Sequence, residues 1–317
     1  MPAIYLTETD VKSLVNMHDA VDVVEKSFRD LDNKQAQNMS RQRLRTENVM
    51  MHVLAGSDAA QNQLGWKVYT TTRQGARFLV GIYDGHNGEL LALIEANFLG
   101  QLRTGAASGV ATKYLANPEA SKLAVIGTGL QARTQAWAVD AVRKLETIYV
   151  YGRNEQRRAQ FADQLKEDLS CDVIAVDNAN DAIRKSNVVV TATTSKTPVF
   201  SGSKIQPGTH INAIGGNFIR KTELDLETFR RTSLIVCDSI EQCKSEAGEF
   251  VAAIEQGLLD CNQITELQQV VAGNCTRETN EQITLFKSVG LGLQDVALGT
   301  LAWQRASKKG IGVPLPF

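Results

Sequence analysis

The chain has 317 residues, enough for two domains that each bury a core. Its 34 basic and 35 acidic side chains leave a net charge of −1, so no global electrostatic argument favours nucleic acid as a partner. Apolar residues make up 43% and charged residues 22%, which is ordinary for a globular protein, and no apolar run is long enough to span a bilayer, so no membrane partner is expected.

The opening text, MPAIYLTETD, lacks a basic region followed by an apolar run, and a cytoplasmic location is the expectation. Five cysteines (Cys171, Cys237, Cys243, Cys261 and Cys275) show neither CxxC nor zinc-type spacing; reduced thiols and no metal are expected. Of the four histidines, His18 falls in a helical pattern and His86 in a DGHNG turn, while His52 and His210 sit in apolar, strand-like text. Half-buried packing is the expected role of each.

In chain order, a short strand at 4–6 precedes a helix whose broad apolar face carries Ala20, Val23, Val24, Phe28 and Leu31. Strand patterns follow at 39–53, 65–72 and 78–83, then a hairpin turn at 84–88 and a paired run at 89–95. Strands in succession without helices between them predict an antiparallel sheet. Within Ser40-Arg41-Gln42-Arg43-Leu44-Arg45, arginines at alternate positions share one face of a strand and form a candidate carboxylate grip. Spacing alone leaves an exposed basic strand as the alternative. Lys67 lies in otherwise apolar strand text, where burial disfavours its charged form and suits it to proton transfer near neutral pH.

Arg103, with Thr104 and Gly105, opens a helix of small residues that leads into a different pattern. From about residue 121 short apolar strands at 123–126, 147–151, 173–176, 188–192, 210–214 and 234–237 alternate with helical segments, notably 131–143 and 155–169. This is the signature of a Rossmann doubly wound parallel sheet in an α/β chain. The first strand runs into Gly127-Thr128-Gly129-Leu130-Gln131-Ala132, a G-x-G-x-x-A dinucleotide fingerprint. Gly127 permits the turn, Gly129 admits a pyrophosphate, and Ala132 lets the helix pack close, with Leu130 and Gln131 in the helix start facing the anion.

The second strand ends in Val150-Tyr151-Gly152-Arg153-Asn154. Gly152 stands where an acidic residue selective for NAD is expected, and Arg153 offers a charge to an NADP phosphate, with Arg157 or Arg158 in support. NADP(H) is favoured and NAD(H) left open, with Arg153 and Asn154 assigned to cofactor binding. Thr191, Ala192 and Thr193 end a Rossmann strand at the edge where ligands bind. An anion-binding arginine just upstream of a nucleotide fold points to a two-domain nicotinamide enzyme acting on a carboxylate.

RTGAASGVATKYLA at 103–116, VIGTGLQA at 125–132, QPGTHINAIG at 206–215 and FKSVG at 286–290 occur in the order found in the ornithine cyclodeaminase/mu-crystallin family. The chain resembles that family over nearly its whole length. The resemblance implies a Rossmann domain (119–295) inserted into a discontinuous α+β domain for catalysis and dimerisation (1–118 and 296–317). The last helix, at 293–308, returns the chain to the first domain. It implies a homodimer, a catalytic lysine at Lys67, and a carboxylate grip made by Arg103 with an arginine of the 41–45 segment; spacing puts Arg43 first and Arg41 next. Ser288 and Gly290 approach the nicotinamide by resemblance only. One departure bears on substrate: cyclodeaminases carry an aspartate where this chain has Asn217, and an amide neither exchanges a proton nor offers charge to a second ammonium.

The resemblance therefore implies an enzyme that interconverts an L-amino acid and its imine. Reduction of 1-pyrroline-2-carboxylate or 1-piperideine-2-carboxylate to proline or pipecolate leads, with Asn217 as a hydrogen-bonding site residue. An ornithine or lysine cyclodeaminase and an alanine dehydrogenase are the alternatives; a non-enzymatic crystallin-like binding protein follows them.

Overall fold

Alternation of buried and half-exposed positions between residues 36 and 95 sets one sheet, and short runs of fully buried residues after residue 121 set another. A computed structural model describes residues 2–316 and divides the chain into two units, one running to Ala106 and resuming at Gly290, the other from Ala107 to Val289. The expected boundaries at 118/119 and 295/296 thus shift. The upstream one falls inside a single unbroken helix, Asn97–Leu115, where no turn residue could mark it.

The chain begins with β1 (Ile4–Leu6), α1 (Glu8–Leu14), α2 (Met17–Asp32), β2 (Ala36–Arg45), β3 (Met50–Asp58), β4 (Gln63–Thr72), β5 (Gly75–Asp84), β6 (Leu90–Glu95) and α3 (Asn97–Leu115). Then come β7 (Lys122–Ile126), α4 (Leu130–Val142), β8 (Thr147–Tyr151), α5 (Glu155–Asp168), β9 (Asp172–Ala175), α6 (Ala179–Arg184), β10 (Val188–Thr191), β11 (His210–Ala213), α7 (Leu226–Arg231) and β12 (Leu234–Cys237). The remainder is α8 (Ile240–Glu246), α9 (Gly248–Glu255), β13 (Ile264–Glu266), α10 (Leu267–Val271), β14 (Thr284–Lys287), α11 (Gly292–Lys309) and β15 (Val313–Pro314).

In the first unit the strand order is β15-β1-β6-β5-β4-β3-β2. The β2-to-β6 meander is antiparallel as expected, but β1 joins β6 in parallel. The run 39–53 is two strands and not one: Thr46 N–H donates to the Val49 carbonyl at 2.9 Å and turns the chain at exposed Glu47 and Asn48. Helix α11 lies on the sheet because small residues let it approach. A Cβ on Gly56 would come within 2.6 Å of the Leu293 backbone, and one on Gly65 within 3.1 Å of Val296. Arg305 of α11 holds α2 through two 2.6 Å hydrogen bonds to Asp19.

The second unit is an eight-stranded parallel sheet in the order β13-β12-β14-β11-β10-β7-β8-β9. The chain winds outward from β7 in one direction, then from β10 in the other, so the strand order reverses between these neighbours. In such sheets, ligands bind at the carboxyl edge beside that reversal. β14 inserts between β11 and β12, and β13 closes one edge; neither was anticipated as a strand. Buried His210 is braced by Thr284 (Nδ1, 2.9 Å) and Asn212 (Nε2, 3.2 Å), and burial drops its pKa to about 3, so it is a neutral member of the core.

Candidate active site

The nucleotide half is built mainly from backbone. β7 ends at Ile126 and α4 begins at Leu130, so the fingerprint forms the strand-to-helix turn. Gly127 adopts φ +129°, and a Cβ there would lie 2.4 Å from the Ala192 carbonyl oxygen at the end of β10. Gly129 is the N-cap of α4, makes no side-chain cap, and faces open space where a Cβ would stand. Ala132 is fully buried beneath the first turn. Uncapped N–H groups beside open space are what a pyrophosphate requires, so these residues fit a dinucleotide.

At the end of β8, a Cβ on Gly152 would come within 2.6 Å of the Thr128 methyl, so the glycine fits a closely packed turn. Arg153, Asn154 and Arg157 are exposed, and Asn154 caps α5 by accepting from Arg157 N–H at 2.8 Å. Arg158 is buried, donates to the Gly152 carbonyl at 3.0 Å and pairs with Asp177, so it braces the turn. Arg153 and Arg157 are therefore the arginines beside this turn that present their charge to solvent.

Residues ending the central strands are fixed by a carboxylate that sequence reasoning missed. Glu223, fully buried, accepts from Thr191 Oγ1 (2.8 Å), Thr193 N–H and Oγ1 (both 2.7 Å) and Gly215 N–H (2.8 Å). Half-buried Asn217 follows, and beneath its loop fully buried Lys287 donates to the Gly216 carbonyl (2.6 Å) and pairs with Glu249 (2.9 Å). Ser288 donates to Asp238 at 2.7 Å.

In the first unit the site is built from long side chains. Lys67 of β4 is 2% exposed and its Nζ donates to Asp295 Oδ1 at 2.7 Å. Arg103 Nε lies 3.2 Å from both oxygens of the same carboxylate, and its Nη1 donates to Gln294 at 3.3 Å. Two glycines make room. A Cβ on Gly100 would be 2.8 Å from Lys67 Nζ, and one on Gly290, at φ +89°, 2.5 Å from Arg103 Nη1. Burial brings the Lys67 pKa down to about 8; Asp295 opposes the drop, and Arg103 and Arg41 add to it. Lys67 thus gives up its proton more readily than a solvent-exposed lysine does.

The alternate arginines differ in burial. The β2–β3 register shifts between Met39 and Gln42, and this bulge re-aims Arg41. Arg41 is buried with Nη2 3.3 Å from the Gly290 carbonyl, Arg43 is half-buried opposite His52, and Arg45 is exposed at the strand end. Gly290 thus lies against Arg41 and Arg103, while Thr104 donates to Gly100 at 2.7 Å within α3. Asp295 was missed as well; its signal is a carboxylate in the otherwise apolar text Leu291-Gly-Leu-Gln-Asp-Val-Ala-Leu298.

Among the described residues no three His, Cys, Asp or Glu side chains group as a metal site, and no helix is long and apolar enough to cross a membrane. A profile of the ornithine cyclodeaminase/mu-crystallin family matches residues 2–310. The chain is 37% identical over 281 residues to a Δ1-pyrroline-2-carboxylate reductase of Bacillus cereus, covering 86% of this chain and 85% of that one. It superposes on the Thermococcus litoralis Δ1-pyrroline-2-carboxylate reductase in complex with NADH and L-proline with a TM-score of 0.94, at 35% identity and over 98% and 100% of the two chains. An archaeal alanine dehydrogenase dimer with bound NAD gives 0.94 at 30% identity, over the whole of both chains. The sequence order of motifs, the fold and these likenesses agree: the chain belongs to the ornithine cyclodeaminase/mu-crystallin family.

Proposed function

We propose that this protein is a nicotinamide-dependent imine reductase that converts a small cyclic imine, 1-pyrroline-2-carboxylate or its six-membered homologue, to proline or pipecolate. The observation that carries the reading is buried Lys67, poised at about pH 8 between Asp295 and a cationic neighbourhood that includes Arg103 and Arg41. The likeness to pyrroline-2-carboxylate reductases supports the substrate class. The bound reduced nicotinamide supplies the hydride that reduces the imine carbon. Arg103 and Arg43, with Arg41 beside them, hold the substrate carboxylate by charge-assisted hydrogen bonds. Lys67 gives its proton to the ring nitrogen, so one hydride and one proton turn C=N into CH–NH, and neutral Lys67 regains its proton from solvent. Asp295 keeps enough charge on Lys67 for that donation.

Gly152 and exposed Arg153 favour NADPH over NADH. The protein acts as a homodimer through the sheet face of the first unit that α11 leaves uncovered. Met39, Met51, Leu64 and Leu79 are 37–43% exposed there, on the same face as Val53, Ala55, Trp66 and Val68. An apolar face of this extent calls for a covering surface. The test is oxidation of NADPH and of NADH on addition of fresh 1-pyrroline-2-carboxylate, with ornithine as the control. Rapid oxidation, faster with NADPH, is expected; ammonia and proline from ornithine with catalytic NAD would replace this reading by a cyclodeaminase.

A further inference from the structure

The histidine read from sequence as an ordinary core residue has an unusual setting. Arg43, His52, Tyr69 and Phe78 are successive cross-strand partners on β2, β3, β4 and β5, a single rung across one face of the sheet. Side chains so paired touch directly. The His52 ring lies parallel to Tyr69, 4.1 Å between centroids and 2° between planes, and Tyr69 stacks in turn on Phe78 at 4.9 Å. Lys67, two residues from Tyr69 on the same face, places its Nζ 5.9 Å from the Tyr69 ring and 5.3 Å from that of Phe78. Of the imidazole nitrogens, Nε2 pairs with Thr71 Oγ1 at 3.2 Å, while Nδ1 is buried with no hydrogen-bond partner.

A buried polar atom left unmatched is costly, and its placement in the rung between Arg43 and the aromatic rings marks where a ligand group would satisfy it. We propose that His52 is a substrate-binding residue whose Nδ1 donates a hydrogen bond to the carboxylate of a small cyclic imino acid, beside the guanidinium of Arg43. This rests on the imine-reductase reading above. The Thr71 hydroxyl donates to Nε2, which leaves the proton on Nδ1, and the stack on Tyr69 fixes the ring plane before substrate arrives. Burial, with Arg43 and Arg41 nearby, brings the His52 pKa down to about 4, so the ring is neutral at working pH and complements the arginines by direction without adding charge.

Two variants of the holoenzyme test it with 1-pyrroline-2-carboxylate and saturating NADPH. His52→Phe keeps a ring for the stack and deletes the donor; KM for the imine rises roughly 10- to 100-fold, the loss expected for a hydrogen bond to a charged group, while KM for NADPH stays within twofold. His52→Asn, whose amide reaches the Nδ1 position, restores KM to within about fivefold of the parent, on the same scale. An unchanged imine KM in His52→Phe, or a matching loss in KM for NADPH, overturns the proposal. The ¹⁵N resonance of His52 Nδ1 in the unaltered protein, titrated with L-proline, reads the contact without turnover. A shift is expected, and no shift contradicts the proposal even if both variants fail to fold. Absence of imine reduction by the unaltered protein, with the shift present, would instead sink the reductase reading and leave the carboxylate contact standing.

Discussion

Gly127 and Gly129 serve the nucleotide unit by the side chains they lack, whereas Lys67 and Asp295 serve the other unit by the charges they bury. In the first case the working groups are backbone N–H donors at one helix start, specified within six consecutive residues. In the second they are side chains brought together from segments 228 positions apart, and their chemistry depends on burial that a short stretch of sequence does not encode. A backbone site tolerates most changes around it except added bulk. A buried ionic site is sensitive to loss of any one member, because the partner is left charged and unpaired.

The largest expected effect follows from that asymmetry. Lys67→Met lowers kcat for imine reduction about 10²- to 10⁴-fold, the range for losing a general acid, with the affinity for NADPH unchanged in a fluorescence titration. Retained kcat would show that the charge buried in the first unit plays no part in proton transfer. Gly127→Ala forces a Cβ to within 2.4 Å of the Ala192 oxygen at a left-handed φ. A loss of about 2–3 kcal/mol in denaturant unfolding is expected, together with weaker cofactor binding. An equal fall in kcat and in cofactor affinity for both variants would erase the distinction between the two halves.

Much of the nucleotide half was legible because its signals are local. The fingerprint and the buried strands each lie within a few residues, and the parallel sheet follows from their alternation. The first unit was legible in outline only. The antiparallel sheet and the Lys67 environment show in apolar alternation, but a bulge redirects Arg41 and no strand period reveals it. Asp295 opens a helix whose pattern reads as core, and His52 reads as core until its unmatched Nδ1 is seen. Glu223 and Lys287 were passed over for the same reason: a charged residue inside apolar text is a signal only if one asks what pairs with it. The position of Asn217 was singled out through resemblance, and the buried Lys287–Glu249 pair under its loop came from structure alone.

The pH response sharpens the comparison further. A lysine lowered to about 8 is protonated below that pH, so the rate of imine reduction holds at lower pH and falls as pH rises through about 8. Proline oxidation, which needs the neutral amine, rises through the same window. Because Asp295 raises the Lys67 pKa, Asp295→Asn moves both limbs to lower pH and cuts reduction at pH 7.5, measured from pH–kcat profiles. The smallest effect belongs to the exposed site: Arg153→Ser lowers the NADPH-to-NADH preference by about tenfold, since a solvated ion pair is worth little more than 1 kcal/mol.

The account is tested most directly by following the hydride. With NADPH deuterated at the transferable position of nicotinamide C4 and 1-pyrroline-2-carboxylate in ordinary water, the account predicts proline carrying one deuterium at Cα, in amounts matching the cofactor oxidised. Proline without deuterium, or no proline while ornithine yields ammonia, would contradict it.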